Sequence, residues 1–136
     1  MAEKRRGRLR LVTRFADAGA YSHEEKHAGY CWLETEGDTL RISWEQKAGD
    51  DAAAFTMTLR EGSAEMQRTG TAAGRLRFAP GRQTPGQYST PFGELELTLY
   101  THALAFVRDD AGGRLCLDYE MKDSGQRARM EMQWKC

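Results

Sequence analysis

The sequence predicts an all-β domain, an up-and-down antiparallel β-barrel of about 8–10 strands. Three observations carry that prediction. Apolar and polar residues alternate with period two along almost the whole chain, short clusters of Gly, Asp and Ser punctuate the alternation at regular intervals, and no segment holds the 3.6-residue apolar stripe of a confident helix. Strands with one dry face must close on themselves or pack as two sheets, because an open sheet of this size leaves that face in water. Turns this short join consecutive strands, and a closed meander is the simplest solution.

The elements follow in order. The first run sets Leu9, Leu11, Thr13 and Phe15 against Arg8, Arg10, Val12 and Arg14; ahead of it, residues 1–7 are expected to form a flexible basic arm. Tyr21 to His27 reads as one short helical turn, and Gly29 to Thr35 as a less regular second strand. Next come Leu40, Ile42 and Trp44 against Arg41, Ser43 and Glu45, then Phe55, Met57 and Leu59 against Thr56, Thr58 and Arg60. Met66 and the run Leu76 to Phe78 continue the dry face, with Glu65, Gln67, Arg75 and Arg77 on the wet side. Leu95, Leu97 and Leu99 lead to Leu104 and Phe106, and the last two runs are Leu115, Leu117, Tyr119 and Met121, then Met130, Met132 and Trp134. Hairpin chemistry lies between them at Glu36-Gly37-Asp38, Ala48 to Asp51, Glu61-Gly62-Ser63, Asp110 to Gly113 and Asp123-Ser124-Gly125.

The most distinctive stretch is Gly86 to Leu97, GQYSTPFGELEL, which reads as a turn-rich loop running straight into an alternating strand. Gly86 and Gly93 permit backbone angles closed to other residues and Pro91 fixes φ, while Tyr88 and Phe92 supply bulk to plug one barrel end. Through Gly86, Tyr88, Pro91, Phe92, Gly93, Leu95 and Leu97, with the Gly70 to Phe78 run and the Gly113 to Met121 strand in the same order, the chain resembles the YwiB-like family of uncharacterised bacterial proteins. The resemblance spans one domain, residues 1–136, and implies a calycin-like, lipocalin-like barrel. It implies no catalytic or ligand residues.

Composition narrows the function. Lys+Arg and Asp+Glu each number 20, so the zero net charge gives no global pull toward nucleic acid or anionic membrane. No apolar window approaches a membrane span and the N-terminal charges lack a signal-peptide core, so a cytoplasmic location is expected. Three cysteines without CxxC spacing argue against a disulfide framework or zinc ribbon. His23, His27 and Cys31 recur every four residues, a spacing that aligns ligands on a helix but not on a loop entering a strand; no metal and no cofactor are expected.

Nucleophile and metalloprotease motifs are missing, and Glu94 and Glu96 share a wet strand face where solvated carboxylates do little acid–base work, so the chain reads as non-enzymatic. The leading expectation is a binding module for a small hydrophobic molecule. Its lumen would be lined by Trp44, Met57, Met121 and Trp134 from a dry face rich in methionine and aromatics, and its lip would offer Tyr88, Ser89, Thr90 and Phe92. The alternative is a protein- or RNA-interaction domain working through the outer face and the basic residues Arg5, Arg6, Arg8 and Arg10. Nucleic acid ranks below the ligand because Arg at alternate strand positions is more often a solvated face paired with Glu or Asp.

Overall fold

The alternating runs become ten strands in a computed structural model that describes residues 3–17, 20–48, 51–70 and 73–136. They are β1 (Glu3–Asp17), β2 (Ala20–Glu36), β3 (Thr39–Ala48), β4 (Asp51–Arg60), β5 (Ser63–Gly70), β6 (Ala73–Phe78), β7 (Gln83–Thr90), β8 (Gly93–Asp109), β9 (Gly112–Met121) and β10 (Gln126–Lys135). Each strand pairs antiparallel with the next, and β1 also pairs with β10, from Arg8↔Lys135 to Ala16↔Arg127, which closes the barrel. The predicted fold class is the observed one. Gly37 and Gly62 turn the β2–β3 and β4–β5 hairpins at φ of 59° and 74°, as tight two-residue connections demand. Part of the turn read at Ala48 to Asp51, namely residues 49–50, lies outside the described residues.

Along most strands the odd or even set that the alternation marks as apolar points inward. Leu9, Cys31, Ile42, Met57, Leu59, Phe78, Leu99, Leu115, Leu117 and Met132 are fully buried. Burying each large side chain contributes about 1.5–3 kcal/mol relative to leaving it in water. Together they fill one half of the barrel, and Trp134 and Leu40 complete that packing. Burial pushes the Cys31 thiol up to about 11, with Cys136 pushing the same way and the Gly7 amide pulling it back, so Cys31 behaves as a small hydrophobe.

The other half is built differently. β2 and β3 pair only from Trp32↔Ser43 to Glu36↔Thr39, so the earlier part of β2 runs beside β1 alone while Trp44 to Ala48 of β3 runs beside β4 alone. The wall is therefore split along one side of the barrel between His27 on β2 and Gln46 on β3.

Three expectations change. Tyr21 to His27 is strand, not a helical turn: Tyr21 pairs with Ala16 and His27 with Leu11, across a bulge at Phe15/Ala16. Its apolar period is weak because a bulge shifts the register and because this stretch borders the split. The basic arm expected over residues 1–7 is β1 from Glu3 onward, paired with Thr35 through Cys31; residues 1–2 lie outside the described residues. Finally, the loop read at Gly86 is strand β7. Pro85 and Gly86 disguise it, yet Gly86 pairs with Leu76 and Leu97, and a Cβ at Gly86 would stand 2.8 Å from Leu76 Cδ2. The glycine makes room for the leucine.

No helix among the described residues is long and apolar enough to cross a membrane.

Candidate functional site

Where the wall splits, the inward side chains leave a cavity of ≈ 550 Å³. That is within the ordinary range for a small-molecule site and fits the one-ligand interior of a small barrel. Its apolar lining includes Trp44, Phe55, Met66, Leu76, Met121 and Met130. Trp44 and Phe55 stack at 5.4 Å with planes 9° apart, and the Trp44 indole N–H donates to Gln46 Oε1 at 3.0 Å, which fixes the ring at the edge of the split.

Polar groups also face this space. His27, Arg68, Tyr88 and Tyr119 line it, and the Arg68 Nε and His27 Nε2 atoms are buried with no hydrogen-bond partner among the described residues. Burial lowers the His27 imidazole below its usual range, so it is neutral at pH 7. Burial raises the Tyr88 phenol, with the Arg68 charge pulling the other way. Tyr119 is also raised, by burial first and then by Tyr88 and Glu25.

The residues expected to bind ligand are dispersed. Trp44 and Met121 line the cavity, and so does Tyr88, whose ring lies over Gly74: a Cβ there would stand 2.4 Å from Tyr88 Cδ1. Met57 and Trp134 do not line it, because their strand positions fall in the packed half; both are buried. Ser89 is exposed, and Thr90 is used by its own turn, donating through Oγ1 to the Gly93 carbonyl at 2.9 Å and accepting from the Phe92 amide at 3.2 Å. Phe92 is no plug: it stands 100% exposed at the tip of the β7–β8 hairpin, and Leu95 beside it is 55% exposed. This hairpin end projects past the barrel, so its alternation faces solvent on both sides.

Sequence reasoning missed Arg68, His27 and Gly74 as walls of the site. Arg68 had a visible signal, since it follows Ala64 and Met66 at the inward period of β5. A cation at that position interrupts the apolar pattern. His102 gains a carboxylate partner that chain order hides: its Nε2 is 3.2 Å from Glu120 Oε1 across the β8–β9 pair, and His102, then Lys122, hold the Glu120 carboxyl below its usual range. His23 and His27 share a strand face with Cys31 but lie roughly 13 Å apart at each step, too far to hold one ion.

The outer face of β1 and β2 is the second feature. Lys4 lies over the Trp32 ring at 5.4 Å, and Arg6 and Arg8 lie over Tyr30 at 4.0 and 5.3 Å. Tyr30 and Trp32 are 57% and 48% exposed, and Arg8, then Arg6, hold the Tyr30 phenol below its usual range. Arg10, Arg114 and Lys135 adjoin them around a broad outer trough. Among the described residues none of these six cations has a carboxylate within ion-pair distance, whereas Arg41, Arg75 and Arg127 elsewhere on the barrel do. The expectation of cross-strand Glu or Asp partners fails for five of them because Trp32, Tyr30, Ala28, Gln133 and Gly112 occupy opposing positions, and for Lys4, whose cross-strand partner is Glu34, because Glu34 lies with Arg41 at 3.7 Å while Lys4 lies over Trp32. Arg5 is apart, donating to the Asp110 carbonyl at 3.2 Å.

Comparison with known proteins agrees with this architecture. Residues 10–132 match the family described as a domain of unknown function (DUF1934). The crystal structure of the ywiB protein from Bacillus subtilis superposes with a TM-score of 0.87 at 20% identity, covering 97% of this chain and 92% of that one. No curated protein matches.

Proposed function

The chain belongs to the DUF1934 family, a domain of unknown function, and from that premise we propose that it is a non-enzymatic binding module whose lumen receives a small apolar molecule through the split between β2 and β3. The observation that carries this reading is the ≈ 550 Å³ cavity walled by Trp44, Phe55, Met66, Leu76, Met121 and Met130. Methionines re-pack around ligands of differing shape at little cost, and flat Trp44 and Phe55 give an apolar molecule a surface to lie on.

A neutral apolar dye tests it. Nile red is expected to bind with a rise in fluorescence, and Met66→Trp, which fills the cavity from β5, is expected to abolish that rise while the unfolding transition stays cooperative. Absence of binding by the unmodified protein would sink the reading.

A second reading, single-stranded nucleic acid on the outer face, is favoured by the coincidence of two exposed aromatics with six cations that have no carboxylate partner among the described residues. Lys4, Arg6, Arg8 and Arg10 stand roughly 7 Å apart along one strand, a basic track beside rings and guanidinium planes on which bases stack. Oligouridylate at low salt is expected to bind, to weaken with rising salt by a log–log slope of about −0.7 per phosphate contacted, and to be lost in Arg6→Glu/Arg8→Glu. A flat anisotropy titration at low salt rules this reading out.

A further inference from the structure

We infer that the molecule received by the lumen carries a small anionic head, a carboxylate or phosphate, held by Arg68 together with Tyr88, on an apolar body lying against Met66, Leu76 and Met130. This rests on the lumen reading above and adds the chemical class of the ligand. Arg68 occupies the inward position of β5 after Ala64 and Met66, where the strand period calls for an apolar residue. Its register partners are Phe55 on β4 and Gly74 on β6. The guanidinium carbon is 5.4 Å from the Phe55 centroid on one side. On the other, Gly74 leaves the room that the Tyr88 ring takes. An arginine thus lies over the Phe55 ring, with the Tyr88 ring over its other register partner Gly74, and its Nε is buried without an acceptor among the described residues.

The charges around the cavity point the same way. Lys26, Lys47 and Arg68 line it against one carboxylate, Glu25. Glu25 is engaged by His23 at 3.3 Å and Lys26 by Glu24 at 3.3 Å, both on the exposed part of β2. Arg68 is the cation left facing inward with no carboxylate of the described residues within ion-pair distance. A buried donor without an acceptor costs stability, and a methionine at this place would cost none, so the arginine is explained by what it can hold. A guanidinium fork donates two parallel hydrogen bonds to a carboxylate or phosphate, and the Tyr88 hydroxyl is a further donor on the same side. The neutral His27 adds a polar atom but no charge to the opposite wall.

Calorimetric titration of the full chain with octanoate, octyl phosphate and octan-1-ol tests the assignment, since the three share a tail and differ in the head. At least one anion is expected to bind about 10- to 100-fold more tightly than the alcohol, and whichever anion does so names the head. Arg68→Met is expected to erase that preference while raising the thermal midpoint, an increase that a merely structural arginine would not give. Tyr88→Phe, which keeps the ring over Gly74, is expected to reduce the preference partially. Equal binding of all three compounds, or a preference that survives Arg68→Met, overturns the anionic head and leaves the lumen reading standing; failure of all three to bind while Nile red binds does the same. Failure of Nile red as well overturns both.

Discussion

Trp134→Ala is expected to lower the unfolding free energy by about 3–5 kcal/mol. The indole is 3% exposed and lies across β9: a Cβ built at Gly113 would stand 2.3 Å from its Cζ2 and 2.7 Å from Cε2. Gly113 is the cross-strand partner of Trp134, and Leu9 is its partner on the β1 side. Removing the ring therefore leaves a void at the β1–β10–β9 seam that glycine cannot fill, and that seam closes the barrel. Since whole domains are stable by about 5–15 kcal/mol, the loss is a large share of the total. Urea unfolding at equilibrium measures it. Nile red affinity of the variant, taken where it remains folded, is expected to equal that of the unmodified chain because Trp134 is not part of the cavity wall. A loss under 1 kcal/mol, or a selective loss of dye binding, would return Trp134 to the ligand-facing set.

Gly7→Val is expected to destabilise the barrel by about 1–3 kcal/mol through overpacking. Gly7 is buried opposite Cys31, and a Cβ there would stand 2.4 Å from the Lys135 carbonyl oxygen and 3.3 Å from Leu33 Cδ1. The nearer atom is backbone and cannot rotate away. Valine at this place must push β1 off the end of β10. A flexible arm would accept any residue, so an unchanged urea midpoint in Gly7→Val would show that residues 3–7 do not pack as β1.

The difference between these two sites and the cavity explains how far the sequence could be read. Alternation is legible wherever one face of a strand is dry and the other wet, which holds for Leu40 to Trp44, Phe55 to Leu59 and Met130 to Trp134, and those strands fall where the period puts them. It fades where the burial it records fades. Tyr21 to His27 borders the split, and in β7 Gly86 interrupts the period because Leu76 of β6 takes the space a side chain there would need, as Gly74 of β6 does for the Tyr88 ring of β7. Methionine-rich strands signalled an adaptable interior. They could not say that Met57 would be packed and Met66 would face a void, since both lie on inward positions of adjacent strands and pair with each other.

The sequence by itself determined the all-β meander, its order and most of the inward set, because strand period and turn chemistry are local properties that survive without knowledge of the partner. Only the tertiary structure decided that β2 and β3 part company after Trp32↔Ser43, that the opened half encloses a cavity, and that Phe55, Arg68 and Tyr88 meet there from three strands. Which inward residues touch depends on the register and stagger of each hairpin around the barrel. Those are fixed by the closure of all ten strands together and not by any segment of the chain.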